Sequence, residues 1–153
     1  MIFEPKSANA TAIKLGVAVL VEDTTGVLLL DLRRDCGLWG LPGGRVETGE
    51  SAVEAAVCEM REETGLEVRL TGLQGVYSEP ANRIVRYADN GDVRQLADIM
   101  FSARIEAGEL ARSPESIRVQ FFPENCLPAP ETVATPARQA VRDYLDGVKA
   151  AIR

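Results

Sequence analysis

Residues 44–66 read GRVETGESAVEAAVCEMREETGL, and this stretch carries most of what the sequence says about fold and function. A predicted helix within it places Glu59, Glu62 and Glu63 at positions i, i+3 and i+4, so their side chains share one narrow arc. Neighbouring carboxylates on such an arc repel each other by on the order of 1–3 kcal/mol. Because oxygen ligands suit hard divalent ions, these three residues, called the helix glutamates below, are candidate ligands for Mg²⁺ or Mn²⁺.

An acidic helix can also be a plain solvent-exposed face, and that is the alternative to a metal site. Features beside the helix favour a built site. The glycine loop, residues 38–44 (LWGLPGG), is a stiff turn that can bring backbone carbonyls close to a metal. Glu50 precedes the helix, and Ser51 and Glu54 have the spacing of a capping box, which predicts where the helix begins.

Hydrophobic patterns predict the remaining elements. Strands, one helix, further strands and a final helix indicate an α/β fold with a mixed sheet between helices. Residues 80–95 are polar and are predicted to form a long loop or hairpin tip. The predicted elements are strands 14–22 and 27–33 around a turn at 23–26, a helix at 51–64, an extended stretch at 66–79, strands 97–105 and 116–122, and a closing amphipathic helix that starts at a Thr135-Pro136 cap and continues to Ile152.

Composition narrows the classes of function. The 153 residues carry a formal net charge of −6, which argues against a nucleic-acid partner. The sequence has no histidine, which excludes Ser-His-Asp and Cys-His catalysis and argues against a zinc site. The cysteines are few, odd in number and form no CxxC pair, which predicts a reducing, cytoplasmic setting; they are Cys36, Cys58 and Cys126. No apolar run is long enough to span a bilayer and the first residues lack a secretory pattern, so no membrane partner is expected.

Residues 44–66 resemble the Nudix box, G-x5-E-x7-R-E-U-x-E-E-x-G-U, in which U is a bulky aliphatic residue. The long motif with fixed spacing is specific, although it covers only 23 residues. The box arginine is missing, because Cys58 stands at its position. The residues that match motif positions are Gly44, Glu50, Glu59, Met60, Glu62, Glu63, Gly65 and Leu66.

The resemblance to the Nudix (MutT-like) hydrolases implies one domain over residues 1–153, folded as an α/β/α sandwich with a mixed sheet. It implies hydrolysis of a diphosphate linkage in a nucleoside diphosphate derivative by water attack at phosphorus. The substrate would be a small nucleotide, either a nucleotide sugar such as ADP-ribose or a (deoxy)nucleoside triphosphate. The implied cofactor is Mg²⁺, with Mn²⁺ as a substitute, and a homodimer is expected from family analogy alone.

The resemblance also assigns roles to residues of the box. Glu59 and Glu63 become the principal metal ligands, Glu62 a further ligand, and Gly44 a ligand through its carbonyl oxygen. Glu50 becomes a supporting carboxylate. The general base is left open between Glu59 and a glutamate on a late loop, for which Glu115 is the first candidate and Glu106 and Glu109 are weaker ones.

Cys58 is the departure from the family pattern, because a thiol supplies neither five donors nor a fixed positive charge. One interpretation is a small hydrophobic residue packed under the helix, with Arg61 or Arg45 as the substitute charge partner. We also hypothesise that Cys58→Arg raises metal-dependent turnover. The alternative function is a Nudix-fold module that binds nucleotides with weak or no turnover because the box arginine is absent.

Substrate choice has to come from outside the box. Arg83, Arg86, Tyr87 and Arg94 lie in the stretch 80–95, which is predicted to overhang the site. Arginine suits phosphate groups and tyrosine suits stacking on a base, so these four are the candidate substrate-binding residues. The alternative is that they are ordinary surface residues of a loop.

Overall fold

The structure is a computed structural model that describes residues 1–22 and 27–153. The predicted turn at 23–26 lies outside the described residues. The α-helices of the described residues are α1 (Ala52–Thr64) and α2 (Thr135–Leu145), and short 3-10 helices span Pro80–Asn82, Glu124–Cys126 and Pro130–Thr132. The strands are β1 (Ile2–Glu4), β2 (Ala12–Glu22), β3 (Val27–Arg33), β4 (Trp39–Gly40), β5 (Leu66–Tyr77), β6 (Ile84–Arg86), β7 (Val93–Gly108), β8 (Ser116–Pro123) and β9 (Ala151–Ile152).

β7 organises the sheet. Along one edge it runs parallel to β2, with Ala12 opposite Arg94 and Glu22 opposite Arg104. Along its other edge it pairs antiparallel with β6 and then with β5. β3 pairs antiparallel with β8 on one side and meets β2 and β4 on the other. The sheet is therefore mixed, as the sequence predicted.

Helices cover both faces of the sheet. Because successive side chains of a strand point to opposite faces, β2 supplies both cores. Val19 packs in one cluster with Met60 of α1. Leu20, the next residue, packs in a second cluster with Ala140 of α2. All four side chains are almost fully buried, and the predicted α/β/α sandwich is confirmed.

α1 begins as its capping box predicted. The Ser51 side chain accepts a hydrogen bond from the Glu54 N–H, and the Glu54 carboxylate accepts one from the Ser51 N–H. At the other end Gly65 has φ 72°, a left-handed conformation that suits glycine and ends the helix. The helix that carries the candidate metal ligands is thus fixed at both ends by its own sequence.

The closing helix is shorter than predicted. α2 ends at Leu145, because Gly147 adopts φ 72° and turns the chain away. Ile152, predicted as helical, lies in β9, which pairs with β5. The predicted cap was also wrong: Ala134 is the N-cap, without a side-chain hydrogen bond, and Thr135 is already helical.

The polar stretch 80–95 is a hairpin built on the sheet. β6 pairs with the first residues of β7, and the tip spans residues 87–92. The N–H of Tyr87 donates to the Asp92 carbonyl oxygen at 2.9 Å and closes the tip. In the described part of the chain, neither helix is long and apolar enough to cross a bilayer.

Candidate active site

The glycine loop is joined to β2 by backbone hydrogen bonds. The N–H of Val17 donates to the Gly44 carbonyl oxygen at 2.9 Å, and the N–H of Val19 donates to the Pro42 carbonyl oxygen at 2.9 Å. Gly43 has φ 148°, and a Cβ there would stand 2.7 Å from the Cα of Ala18. The close approach therefore requires glycine at position 43, and it holds the loop against the sheet.

Glu63 connects α1 to this loop. Its Oε2 accepts a hydrogen bond from the Gly43 N–H at 2.8 Å, and the residue is only 8% exposed. Burial raises the pKa of Glu63 to about 7, and the charges of Asp31 and Glu59 add to the rise. The Gly43 N–H and the Arg33 guanidinium act in the opposite direction. Glu63 is thus a desolvated carboxylate that is stabilised by the arrival of positive charge.

Glu59 lies one turn earlier on α1 and is half-buried. Its carboxylate fills the space beside Gly44 where a Cβ would stand. Burial raises the pKa of Glu59, and the nearby charges of Glu62 and Glu115 raise it further. Glu62 is exposed at the rim. The carboxylates of Glu59 and Glu63 therefore repel each other within a confined volume.

The helix glutamates line a cavity of about 390 Å³. Glu115, which directly precedes β8 and is the late-loop candidate for the general base, also lines this cavity. Lys14 and Tyr87 also line the cavity, and the Lys14 ammonium donates to the Tyr87 hydroxyl at 3.0 Å. The hairpin tip thus contributes an aromatic side chain to the cavity that holds the helix glutamates.

This donor set suits a hard divalent cation, because it consists of carboxylate oxygens around a confined opening. Within residues 1–22 and 27–153, no three acidic, histidine or cysteine side chains stand close enough to hold a metal by themselves. Mg²⁺ commonly takes one or two carboxylates and completes its shell with water and substrate phosphate oxygens, and Glu59 and Glu63 fit that mode. The Gly44 carbonyl oxygen has one lone pair left beside its bond from Val17.

Comparison with known proteins identifies the family. The model of the NUDIX domain matches residues 12–144. The chain belongs to the Nudix family. An ADP-ribose pyrophosphatase of Methanocaldococcus jannaschii is 32% identical over 128 residues, which are 82% of this chain and 69% of that protein.

Two further relatives show how far the likeness extends. A putative 8-oxo-dGTP diphosphatase of Bacillus subtilis is 51% identical over 65 residues, or 42% of this chain. The match spans only 44% of that protein's length. A crystal structure of a Nudix hydrolase from Nitrosomonas europaea superposes with a TM-score of 0.73 at 22% identity, covering 95% of this chain and 78% of the other, and it shows the shared fold.

The Nudix box departs from the family pattern at Cys58, and the structure corrects how we interpreted it. Cys58 is exposed on α1 and is not packed under the helix. Arg45 is 57% exposed and pairs with Glu47 at 3.7 Å, and Arg61 points to solvent. The guanidinium whose charge acts on Glu63 belongs to Arg33 at the end of β3, which lines the cavity and is hydrogen-bonded to Asp35 at 3.1 Å. Sequence reasoning missed Arg33 because it is distant from the box along the chain.

Three of the four predicted substrate-binding residues lie elsewhere. Of the described residues that line the cavity, none is Arg83, Arg86 or Arg94. Arg83 is 3% exposed and pairs with Asp98. Arg86 pairs with Glu4 at 2.7 Å, and Arg94 pairs with Asp92 at 2.6 Å. Each guanidinium already has a carboxylate partner, so we do not retain these three as phosphate ligands.

Glu50 has a local role in the box. Its Oε1 accepts a hydrogen bond from the Glu47 N–H at 2.6 Å, which closes the turn between the glycine loop and α1. Asp98 is a further residue of the cavity that was missed. The available signal was a charged residue between Ala97 and Ile99, in the apolar part of the strand from Leu96 to Phe101.

Proposed function

We propose that this Nudix protein is a hydrolase that cleaves a diphosphate linkage in a nucleoside diphosphate derivative with the help of a divalent cation. The observation that carries the proposal is the cavity in which the helix glutamates and Glu115 meet Lys14 and Tyr87. The relatives named above as ADP-ribose pyrophosphatase and putative 8-oxo-dGTP diphosphatase support the substrate class. Both named substrates join a nucleoside to a chain of phosphates.

The cation we propose is Mg²⁺, held by Glu59 and Glu63, with Glu62 as a further ligand and the Gly44 carbonyl oxygen in support. When bound, such an ion neutralises charge on phosphate oxygens and makes a water molecule easier to deprotonate. Contacts within the protein hold both carboxylates in position before a metal binds. The Gly43 N–H orients Glu63, and the bare Cα of Gly44 makes room for Glu59.

The attacking water has to transfer a proton to a carboxylate oxygen, and two glutamates are placed to receive it. Glu59 lies beside the glycine loop, and burial raises the pKa of its carboxyl toward the range useful to a base. Glu115 is exposed on the same cavity wall, close enough for its charge to raise the pKa of Glu59. We propose that one of these two is the base.

The test is product release from nucleoside triphosphates, sugar nucleotides and dinucleoside polyphosphates, each with Mg²⁺ or Mn²⁺. Wild type is compared with the double variant Glu62→Gln/Glu63→Gln, and Glu106→Gln serves as a control outside the cavity. Turnover that vanishes only in the double variant supports the hydrolase. Absence of turnover across the panel, or equal turnover in the double variant, contradicts it.

A nucleotide-binding module without turnover is the second candidate. The observation in its favour is that the described residues form no complete three-carboxylate metal site. Binding of a nucleotide by wild type, measured by calorimetry, without product release under any metal condition would support this candidate over the hydrolase.

A further inference from the structure

Asp98 places a carboxylate in the cavity, and its neighbour on the adjacent strand is a glycine. It lies on β7 directly across from Gly16 of β2. A Cβ on Gly16 would stand 2.5 Å from Asp98 Oδ1 and 3.2 Å from the Gly44 carbonyl oxygen. Glycine at position 16 therefore leaves room for Oδ1 beside the glycine loop.

Arg83 holds the other oxygen of this carboxylate. Its Nη1 donates to Asp98 Oδ2, and its Nη2 donates to the Pro136 carbonyl oxygen at 2.8 Å. The guanidinium also lies over the Tyr77 ring, 5.3 Å from its centroid. These contacts fix Arg83 in one position, and Asp98 is fixed with it. The hydrogen bond to Arg83 uses Oδ2 alone, and no donor among the described residues bonds to Oδ1.

The surroundings of Oδ1 are those of a small-molecule site. Leu96, Asp98 and Met100 alternate along β7, so their side chains point to the same face, and all three line the cavity. One oriented polar group between apolar side chains is the usual composition of a ligand pocket. Asp98 is 14% exposed, and the cavity is the space in which its free oxygen can meet a partner.

A purely structural role would not require this arrangement. A buried ion pair is seldom better for stability than apolar residues of the same volume. An ionised carboxylate only accepts hydrogen bonds, so its partner has to be a donor. The Lys14 ammonium donates to the Tyr87 hydroxyl and, among the described residues, forms no hydrogen bond to Asp98. A neutral N–H or O–H of the substrate suits the remaining acceptor.

We propose that Asp98 determines substrate specificity by accepting a hydrogen bond, through Oδ1, from a donor on the nucleoside part of the substrate. The donor is either the exocyclic amine of a guanine base or the 2′-hydroxyl of the ribose. This inference rests on the proposed function, because it places a nucleotide in the same cavity.

Asp98→Asn tests the proposal, because it keeps the shape and reverses the hydrogen bond. Arg83 requires an acceptor, so the amide oxygen turns to Arg83 and the amide nitrogen presents donors to the cavity. Substrates are compared in two pairs: guanine against hypoxanthine nucleotides, which differ in the exocyclic amine, and ribo- against 2′-deoxyribonucleotides. In wild type, loss of the contacted donor should lower kcat/KM about tenfold or more.

In Asp98→Asn the preference within that pair should fall to about twofold or reverse. In this variant a base N–H would face another donor, whereas a ribose hydroxyl could accept a hydrogen bond from the amide. The base comparison and the sugar comparison therefore show which donor contacts position 98. A preference that is unchanged in Asp98→Asn overturns the proposal, as does a wild type that discriminates in neither pair.

Arg83→Lys is the matched control, since it disturbs the same ion pair and leaves Asp98 in place. A purely structural role predicts that both variants lower the melting temperature and reduce activity equally for all substrates. Dissociation constants for the same pairs, measured on Glu63→Gln with and without Asp98→Asn, give a readout that does not need turnover. A wild type that neither binds nor hydrolyses nucleotides contradicts the proposed function itself, whereas binding without a change in selectivity contradicts only the role of Asp98.

Discussion

The carboxylate of Glu59 occupies the space beside Gly44 in which a side chain would otherwise stand. The φ of Gly44 is not in the left-handed region, so the glycine is required for space and not for backbone conformation. The contact brings the helix that carries the glutamates against the loop that orients them. Glycine at this position is therefore a condition for the site.

Gly44→Ala should displace the Glu59 carboxylate while leaving the fold intact. Because shifts of about 1 Å in a catalytic group cost on the order of a hundredfold in rate, we expect kcat/KM to fall by about that factor. Turnover and circular dichroism are measured together. Gly72→Ala is the control, since a Cβ there meets open space. Equal activity of Gly44→Ala and wild type would show that the Glu59 position is not needed.

Arg33 lines the cavity, and its charge acts on Glu63, whereas the Nudix box has Cys58 in place of its arginine. Arg33→Met should weaken Mn²⁺ binding by about tenfold, because the pKa of Glu63 rises further without this cation and a proton then competes with the metal for the carboxylate. Cys58→Arg in that background should restore part of the affinity, since position 58 is exposed and one turn from Glu62. Calorimetry of Mn²⁺ binding measures both. Arg61→Met, on the exposed side of α1, is the control; an equal loss there would argue against a specific role of Arg33.

The metal-free protein should lose stability as pH rises from about 4.5 to about 7. Over that range folded Glu63, with its pKa raised to about 7, keeps a proton that the unfolded chain has released, so folding becomes less favourable. Glu63→Gln removes this dependence and keeps an acceptor for the Gly43 N–H. At pH 8 in EDTA it should be more stable than wild type by up to about 3 kcal/mol.

Urea unfolding at pH 4 and pH 8 measures this difference, which should vanish at the lower pH. Glu62→Gln is the control because Glu62 is exposed, and its effect on stability should be small at both values. A wild-type stability that does not depend on pH in this range would contradict the raised pKa of Glu63.

Glu115→Gln tests the choice of general base. If Glu115 accepts the proton, kcat should fall by about a hundredfold or more and KM should change little. Glu106→Gln is the matched control for this variant. Glu106 is also an exposed glutamate, and its Oε1 accepts a hydrogen bond from Arg69 Nε at 2.9 Å. A small effect in Glu115→Gln assigns the base to Glu59.

Ser51→Ala removes the cap of α1. Loss of one N-cap hydrogen bond costs about 1 kcal/mol, so the melting temperature should fall by a few degrees. Activity should also fall, because the first turn of the helix sets the approach to Glu59. Ser7→Ala, at an exposed serine before β2, should change neither quantity.

The elements of the fold whose ends are determined by neighbouring residues in the sequence were predicted well. The start of α1 follows from Ser51 and Glu54, and its end follows from Gly65, because capping is decided by adjacent residues. The end of α2 was missed because Val148 and Ile152 continue a helical spacing. The left-handed Gly147 and the pairing of Ile152 with β5 outweigh that pattern.

Sequence analysis predicted only the residues of the candidate site that lie close together along the chain. The helix glutamates lie on one element, so periodicity brings them together. Arg33 and Asp98 come to the cavity through strand pairing, which a single sequence does not specify. Arg83 and Arg86 were predicted to bind phosphate, but their partners Asp98 and Glu4 lie on other strands, and the sequence alone does not reveal these pairs.

The hairpin tip grows directly out of β7, the strand that also passes beneath α1 and pairs with β2 along its length. Tyr87 therefore stands on an extension of the most thoroughly paired strand in the sheet, and little conformational freedom is left to lose when a ligand arrives. Evolution can exchange residues at the tip without touching the glycine loop or the helix glutamates. Under the proposed function, the hairpin tip is therefore the segment to exchange when a new nucleotide specificity is engineered into this chain.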